Sequence, residues 1–187
     1  YLHHDFKIFH LTDHEMSTYD FHYHDFHKLL FFLSGNVTYC IEGKSYQLTP
    51  GDLVLVRAGE VHRPVIHDTT PYERMIIYVS PDFAVASSDK MVSLNQCFLP
   101  DAAMPSNVLH LSGMKERRLL DIMMELVHSF SEDGFANEIY QNTLFLEFMI
   151  HLNRAALSGT LQYEDSFQAN EKILSVLTYM NEHLTED

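Results

Sequence analysis

The stretch "FHYHDFHKLLFFLSG", residues 21–35, decides how the rest of the chain is read. It places His22, His24 and His27 within six residues, runs apolar from Leu29 to Leu33, and stops at Ser34-Gly35. An apolar run of this length closed by a turn residue reads as a buried strand. Residues two apart on an extended chain project from one face, so His22 and His24 can point into the same space. His27 has the opposite parity and is expected outside. The question is whether the pair serves a metal, a ligand pocket, or only the polar start of a strand.

Working outward, the segments that follow have the same strand-and-turn character. "NVTYCIEGK" alternates Val37, Tyr39 and Ile41 and turns at Glu42-Gly43; "SYQLTPGD" runs into Pro50-Gly51. "LVLVRAGEVH" ends near Ala58-Gly59, His67 to Thr70 form a polar loop, and "YERMIIYVSP" closes at Ser80-Pro81. Short strands at this spacing predict an antiparallel sandwich or barrel. The period changes after residue 110. Leu119, Ile122, Met123, Leu126, Val127 and Phe130 recur at three- and four-residue intervals and predict a helix that Ser112 caps and "SEDG" ends. A second helix is expected from Asn137 to Leu157. Phe145, Met149, Leu152 and Ala156 form its main stripe, Leu144 and Phe148 widen it, and Leu146 and Ile150 lie to the side. That is more apolar surface than one packing face uses, so a partner subunit is expected on the remainder. Residues 159–169 read as a polar linker and 170–187 as one more amphipathic helix with nothing of its own to pack on.

Composition bounds the function. Formal charge is −14, with 12 Lys plus Arg against 26 Asp plus Glu, which lacks the basic footprint that holds nucleic acid. No apolar run reaches the roughly 18 residues of a membrane span, and the opening "YLHHDFKIFHLTDHE" lacks the apolar core of a signal peptide. Two cysteines, Cys40 and Cys97, make no disulfide framework and suit a reducing cytoplasm.

"HYHDFHKLLFFLSG", "YCIEGKSYQLTPGDLVLVRAGEVH" and "YERMIIYVSP" together resemble the sensor domain of AraC-type bacterial transcription regulators, a small cupin barrel. The most specific elements are Pro50-Gly51-Asp52 and Gly59-Glu60-Val61-His62; the likeness is weakest before residue 20 and from 85 to 110. The tail "EKILSVLTYMNEHLTED" looks like the first helix of that family's DNA-binding domain. The resemblance implies a mainly β fold with C-terminal helices. It divides the chain into a double-stranded β-helix barrel with an N-terminal arm over 1–105, a helical dimerisation hairpin over 106–158, the linker, and that first helix. It further implies a cytoplasmic homodimer that senses a small, sugar-like effector and reaches DNA only through a helix-turn-helix region following residue 187.

The same resemblance nominates site residues. Metal-binding cupins supply His-x-His, a glutamate four or five residues on, and a later histidine. His22, His24 and His62 match, but Lys28 and Leu29 stand where the glutamate is due, and Arg57 replaces a proline expected before His62. A divalent metal on the three histidines is therefore one alternative, and a polar pocket without a cofactor the other, favoured by the missing carboxylate. Ser34, Arg74 and Ile76 match positions that face ligand in sugar-binding relatives. For the partner subunit, Leu146 and Ile150 are the first candidates. The competing function is a metal-dependent cupin enzyme, an isomerase or dioxygenase; neither cysteine sits in a pattern with a base, so no covalent catalytic arrangement is expected.

Overall fold

The computed structural model describes residues 5–15, 19–87, 90–99, 106–111 and 117–158. The linker, the final helix and the Ser112 cap expected from the sequence lie outside the described residues. The strands are β1 (Phe6–Asp13), β2 (His27–Ser34), β3 (Val37–Ile41), β4 (Lys44–Gln47), β5 (Asp52–Val56), β6 (His62–Ile66), β7 (Tyr72–Val79), β8 (Ala84–Ser87), β9 (Lys90–Ser93) and β10 (Val108–His110). Two helices follow, α1 (Arg117–Ser129) and α2 (Asn137–Leu157).

The apolar run of the opening stretch becomes β2, the middle strand of a five-stranded sheet ordered β1-β7-β2-β5-β10. It is buried on both faces, which is why it reads as continuous rather than alternating. Leu30 and Phe32 face a second sheet, ordered β4-β3-β6, and join Val37, Tyr39, Ile41, Val54, Val56 and Ile76 in a core between the two sheets. Leu29 and Phe31 face the other way, into a core shared with Ile122, Met123 and Leu126 of α1 and Phe145, Phe148 and Leu152 of α2. The molecule is thus three layers: small sheet, large sheet, helices. The mainly β fold with C-terminal helices that was expected is the fold observed.

Local chemistry sets the turns. Glu42 (φ 47°) and Gly43 (φ 75°) are both left-handed, as a two-residue hairpin between β3 and β4 requires. Gly35 turns β2 into β3 at φ 128°, and a Cβ there would meet the Tyr72 backbone at 3.2 Å.

Three features depart from the sequence reading. Residues 6–13 belong to the large sheet: β1 pairs antiparallel with β7 along its whole length, with Phe6 and Ile8 packed toward the helices. The sheet also continues past residue 105, because Val108–His110 pair with β5. Residues 84–93 form a small β8–β9 hairpin. On α2 the widened stripe of Leu144, Phe145, Phe148, Met149 and Leu152 is consumed inside the chain. What remains outside is Ile139 and Tyr140 near its start, and Ile150 at 39% exposure and Leu157 at 71% toward its end, with Leu146 half-buried beside the latter pair.

Candidate functional site

A cavity of about 210 Å³ opens between the two sheets at the end where β6 begins. The segment before β2 closes one side. His22 and His62 exchange backbone hydrogen bonds, at 3.1 and 2.9 Å, so that residues 20–24 extend the edge of the small sheet. Gly59 N–H then donates to the His24 carbonyl at 2.8 Å. His22 and His24 therefore reach the cavity from an added edge segment, not from β2 itself, which begins at His27.

These contacts assemble the three histidines. Ring centroids are 5.1 Å apart for His22–His24, 4.5 Å for His22–His62 and 5.2 Å for His24–His62. One nitrogen from each ring lies within 4.8 Å of the others. His22 Nδ1 lies 2.8 Å from the Asp20 carbonyl and His62 Nδ1 lies 2.9 Å from the Glu60 carbonyl. A carbonyl can only accept, so each Nδ1 carries a proton. His62 Nε2 is buried without a partner. Burial, and next the Lys28 charge, hold His24 down at about 4 and His62 at about 3. Both rings are neutral at physiological pH.

This is a donor set that fits a divalent metal in kind: three imidazoles, two of them oriented by backbone carbonyls as ligating histidines are. His22, His24 and His62 would hold such an ion through one nitrogen each, and these nitrogens already lie within 4.8 Å of one another. Among the described residues no carboxylate completes the set. Lys28 occupies the cavity wall instead, its Nζ donating to the Tyr39 hydroxyl at 2.8 Å. Burial, reinforced by the Arg74 charge, lowers Lys28 to about 8.

The opposite wall comes from β7. Arg74 lines the cavity, is buried to 6% exposure, and pairs with Asp13 of β1 at 2.7 Å. It also donates to the Tyr72 carbonyl at 2.9 Å, and its guanidinium lies 4.1 Å from the Tyr72 ring. Ile76, Leu30 and Tyr78 complete this side. Burial raises the Tyr39, Tyr72 and Tyr78 hydroxyls above the ordinary range, so they stay protonated.

The sequence-derived candidates thus divide. His22, His24, Arg74 and Ile76 line the cavity, and His62 joins the histidine cluster at its edge. Ser34 does not. The β2–β7 register shifts between Phe32 and Ser34, a bulge that cancels the strand parity, and Ser34 Oγ donates to the Pro71 carbonyl at 3.0 Å. His27 does face away from the cavity, but it is not at the surface: its ring stacks on Phe98 at 4.2 Å and accepts the Ala58 N–H at 3.0 Å. Burial, and next Arg57, lower it to about 4. Sequence reasoning gave Lys28 only as an absent ligand and gave Tyr39 and Tyr78 no role. Their signal was parity, since 28 shares it with 22 and 24 on an extended chain, and 39 is the centre of an alternating strand.

Solved structures resemble parts of this chain. An RmlC-like cupin from Methanocaldococcus jannaschii is 16% identical, with TM-score 0.37, 40% of this chain and 70% of that one covered. DMSP lyase DddQ from Ruegeria pomeroyi is 21% identical, with TM-score 0.38, covering 49% and 44%. Vicilin from hazelnut, Corylus avellana, is 16% identical, with TM-score 0.38, covering 42% of this chain; the match spans only 22% of that chain. No curated protein matches the chain. The family model described as the AraC-like ligand binding domain matches residues 6–149, more than three quarters of the sequence. The matched span runs from β1 through the cavity-forming strands into α2, and the chain therefore belongs to the AraC-like ligand binding domain family.

Proposed function

We propose that this chain is the effector-sensing and dimerising domain of a bacterial transcription regulator. The observation that carries the reading is the cavity between the sheets, closed by His22, His24, Lys28, Tyr39, Arg74 and Ile76, in a chain of a ligand-binding family. Few convergent polar groups against an apolar floor are what a small-molecule site needs. The volume corresponds to about seven waters at ~30 Å³ each, which selects a compact metabolite. DNA contact belongs to a helix-turn-helix region following residue 187, because the acidic chain itself repels phosphate. The second copy docks on the outer side of α2, where Leu146, Ile150 and Leu157 border an apolar groove against β8 and β9.

The test is ligand-dependent melting of the chain across compact sugars, polyols, amides and carboxylates, repeated on a His24→Ala, His62→Ala double variant. A compound that raises the midpoint of the wild type and not of the variant supports the site. Compounds that raise both equally overturn it.

One specific observation favours a second reading of the same wall. The Nδ1 atoms of His22 and His62 are pinned on carbonyls and one nitrogen of each of the three rings lies within 4.8 Å of the others, which favours a divalent metal on His22, His24 and His62. Such a metal would supply a Lewis-acid contact for a ligand oxygen. Here the chain's own residues hold His24 and His62 neutral and orient His22 and His62, and Lys28 opposes the added charge.

A further inference from the structure

The charge balance of the cavity says more about its ligand than its shape does. Lys28 and Arg74 are each buried to 6% exposure, and both line the void. The carboxylate in contact with either is Asp13, held on Arg74 at 2.7 Å. Asp25 also acts on His24 electrostatically, but its side chain is exposed. Among the described residues, two buried cations are therefore answered by one carboxylate.

The hydrogen-bond inventory leans the same way. An ammonium has three donors and no acceptor, and Lys28 Nζ uses one of them, on Tyr39. A guanidinium has five donors; Arg74 spends its terminal nitrogens on Asp13 and Tyr72, and its buried Nε has no partner. Spare donors on cations call for an anionic oxygen, and charge-assisted bonds are the strong ones. At the edge of the void the need is reversed: His62 Nδ1 is held on the Glu60 carbonyl while its buried Nε2 has no partner, and His24 lines the cavity beside it. That Nε2 suits a hydroxyl hydrogen.

We infer that the cavity takes a small hydroxy acid, its anionic group received by Lys28 and Arg74 and its hydroxyl by the histidines. The inference rests on the reading of this cavity as the effector site. It replaces a neutral sugar with an anionic ligand of similar size. The lowered basicity of Lys28 is consistent with this, since an incoming anion restores the full charge that burial disfavours.

The experiment uses lactate, its neutral isostere lactamide, and inorganic phosphate. Each is titrated into the 187-residue chain after EDTA treatment, so that no metal mediates binding. The readout is the Ile76 δ1-methyl resonance, which reports on the cavity wall. Lactate is expected to move it saturably at millimolar concentration and lactamide to leave it in place. In Lys28→Met the lactate affinity is expected to fall at least about tenfold, as loss of a charge-assisted bond requires, with no fall in the unliganded melting midpoint. Response to phosphate in place of lactate keeps the anion and makes its source a phosphate ester. Lactamide binding as well as lactate overturns the inference while leaving the cavity a ligand site. Silence from all three probes, or unchanged lactate affinity with a lowered midpoint in Lys28→Met, overturns it as well; the latter makes Lys28 a structural partner of Tyr39 alone.

Discussion

Asn153, buried on α2, accepts the backbone N–H of Cys97 at 2.7 Å and donates to the Leu94 carbonyl at 2.6 Å. One amide side chain thus satisfies two main-chain groups of the segment that joins the β8–β9 hairpin to β10, and it fastens the helical layer to the barrel. Asn153→Ala leaves both groups buried without partners. A loss of roughly 2–6 kcal/mol is expected in urea unfolding, from two unmade bonds at about 1–3 kcal/mol each.

His27 gives a pH dependence whose sign is fixed. Its ring is neutral in the fold, held to about 4, while in the unfolded chain it titrates near 6.5. As pH falls from about 6.5 toward 4 the unfolded state takes up a proton that the folded state refuses, so stability present above 6.5 is lost. The ring is partly exposed, so the slope stays below the one-proton limit of about 1.4 kcal/mol per pH unit. In His27→Asn, whose Oδ1 can still accept the Ala58 N–H, the difference in unfolding free energy between pH 7 and pH 5 should shrink relative to wild type. An unchanged difference would show that His27 is not the titrating group.

Ser34 separates parity from position. Its hydroxyl is committed to Pro71 outside the cavity. Ser34→Ala is expected to cost about 0.5–1 kcal/mol of stability and to leave ligand affinity unchanged in calorimetry. Weakened binding would return it to the site.

The histidine cluster predicts metal behaviour. Zinc should bind the wild type and fail to bind His62→Ala, as calorimetry would register. Lys28→Glu places a carboxylate where a cation stands and should tighten zinc at least about tenfold, within the range seen when ligand surroundings change. A tighter wild type than Lys28→Glu would contradict the three-histidine set.

Dimerisation is tested on the exposed edge of α2. Ile150→Glu touches little of the core, since the side chain is 39% exposed, and should weaken self-association at least about tenfold in sedimentation. Adding Leu146→Glu should leave a monomer. A wild type that sediments as a monomer at tens of micromolar would refute the interface.

Much of this molecule was legible because local pattern and tertiary role agree. The α2 bounds, Asn137 to Leu157, follow from three- and four-residue spacing, and β2 from an apolar run between a histidine and a glycine. Where the reading failed, the deciding fact was a pairing. β1 mixes Lys7, His10 and Thr12 with its apolar residues and becomes a strand only because β7 offers a free edge along eight residues. Ser34, nominated by its likeness to ligand-facing positions in relatives, lies off the cavity because a bulge, invisible in the sequence, shifts the β2–β7 register between Phe32 and Ser34. Lys28 was seen as a missing glutamate, because its burial and its Tyr39 partner exist only once β2 and β3 face each other across the core.

The large sheet has consecutive residues committed to opposite layers. Leu30 and Ile76 border the cavity, while Leu29 and Ile77 belong to the helix-side core. One peptide unit separates the compartment that meets a ligand from the layer that carries α2. Filling the cavity would therefore stiffen a wall that α1 and α2 share, and the signal that crosses it can be a loss of fluctuation without displacement of any strand. Methyl order parameters of Leu29 and Ile77, measured with and without ligand, would register that change before any coordinate did.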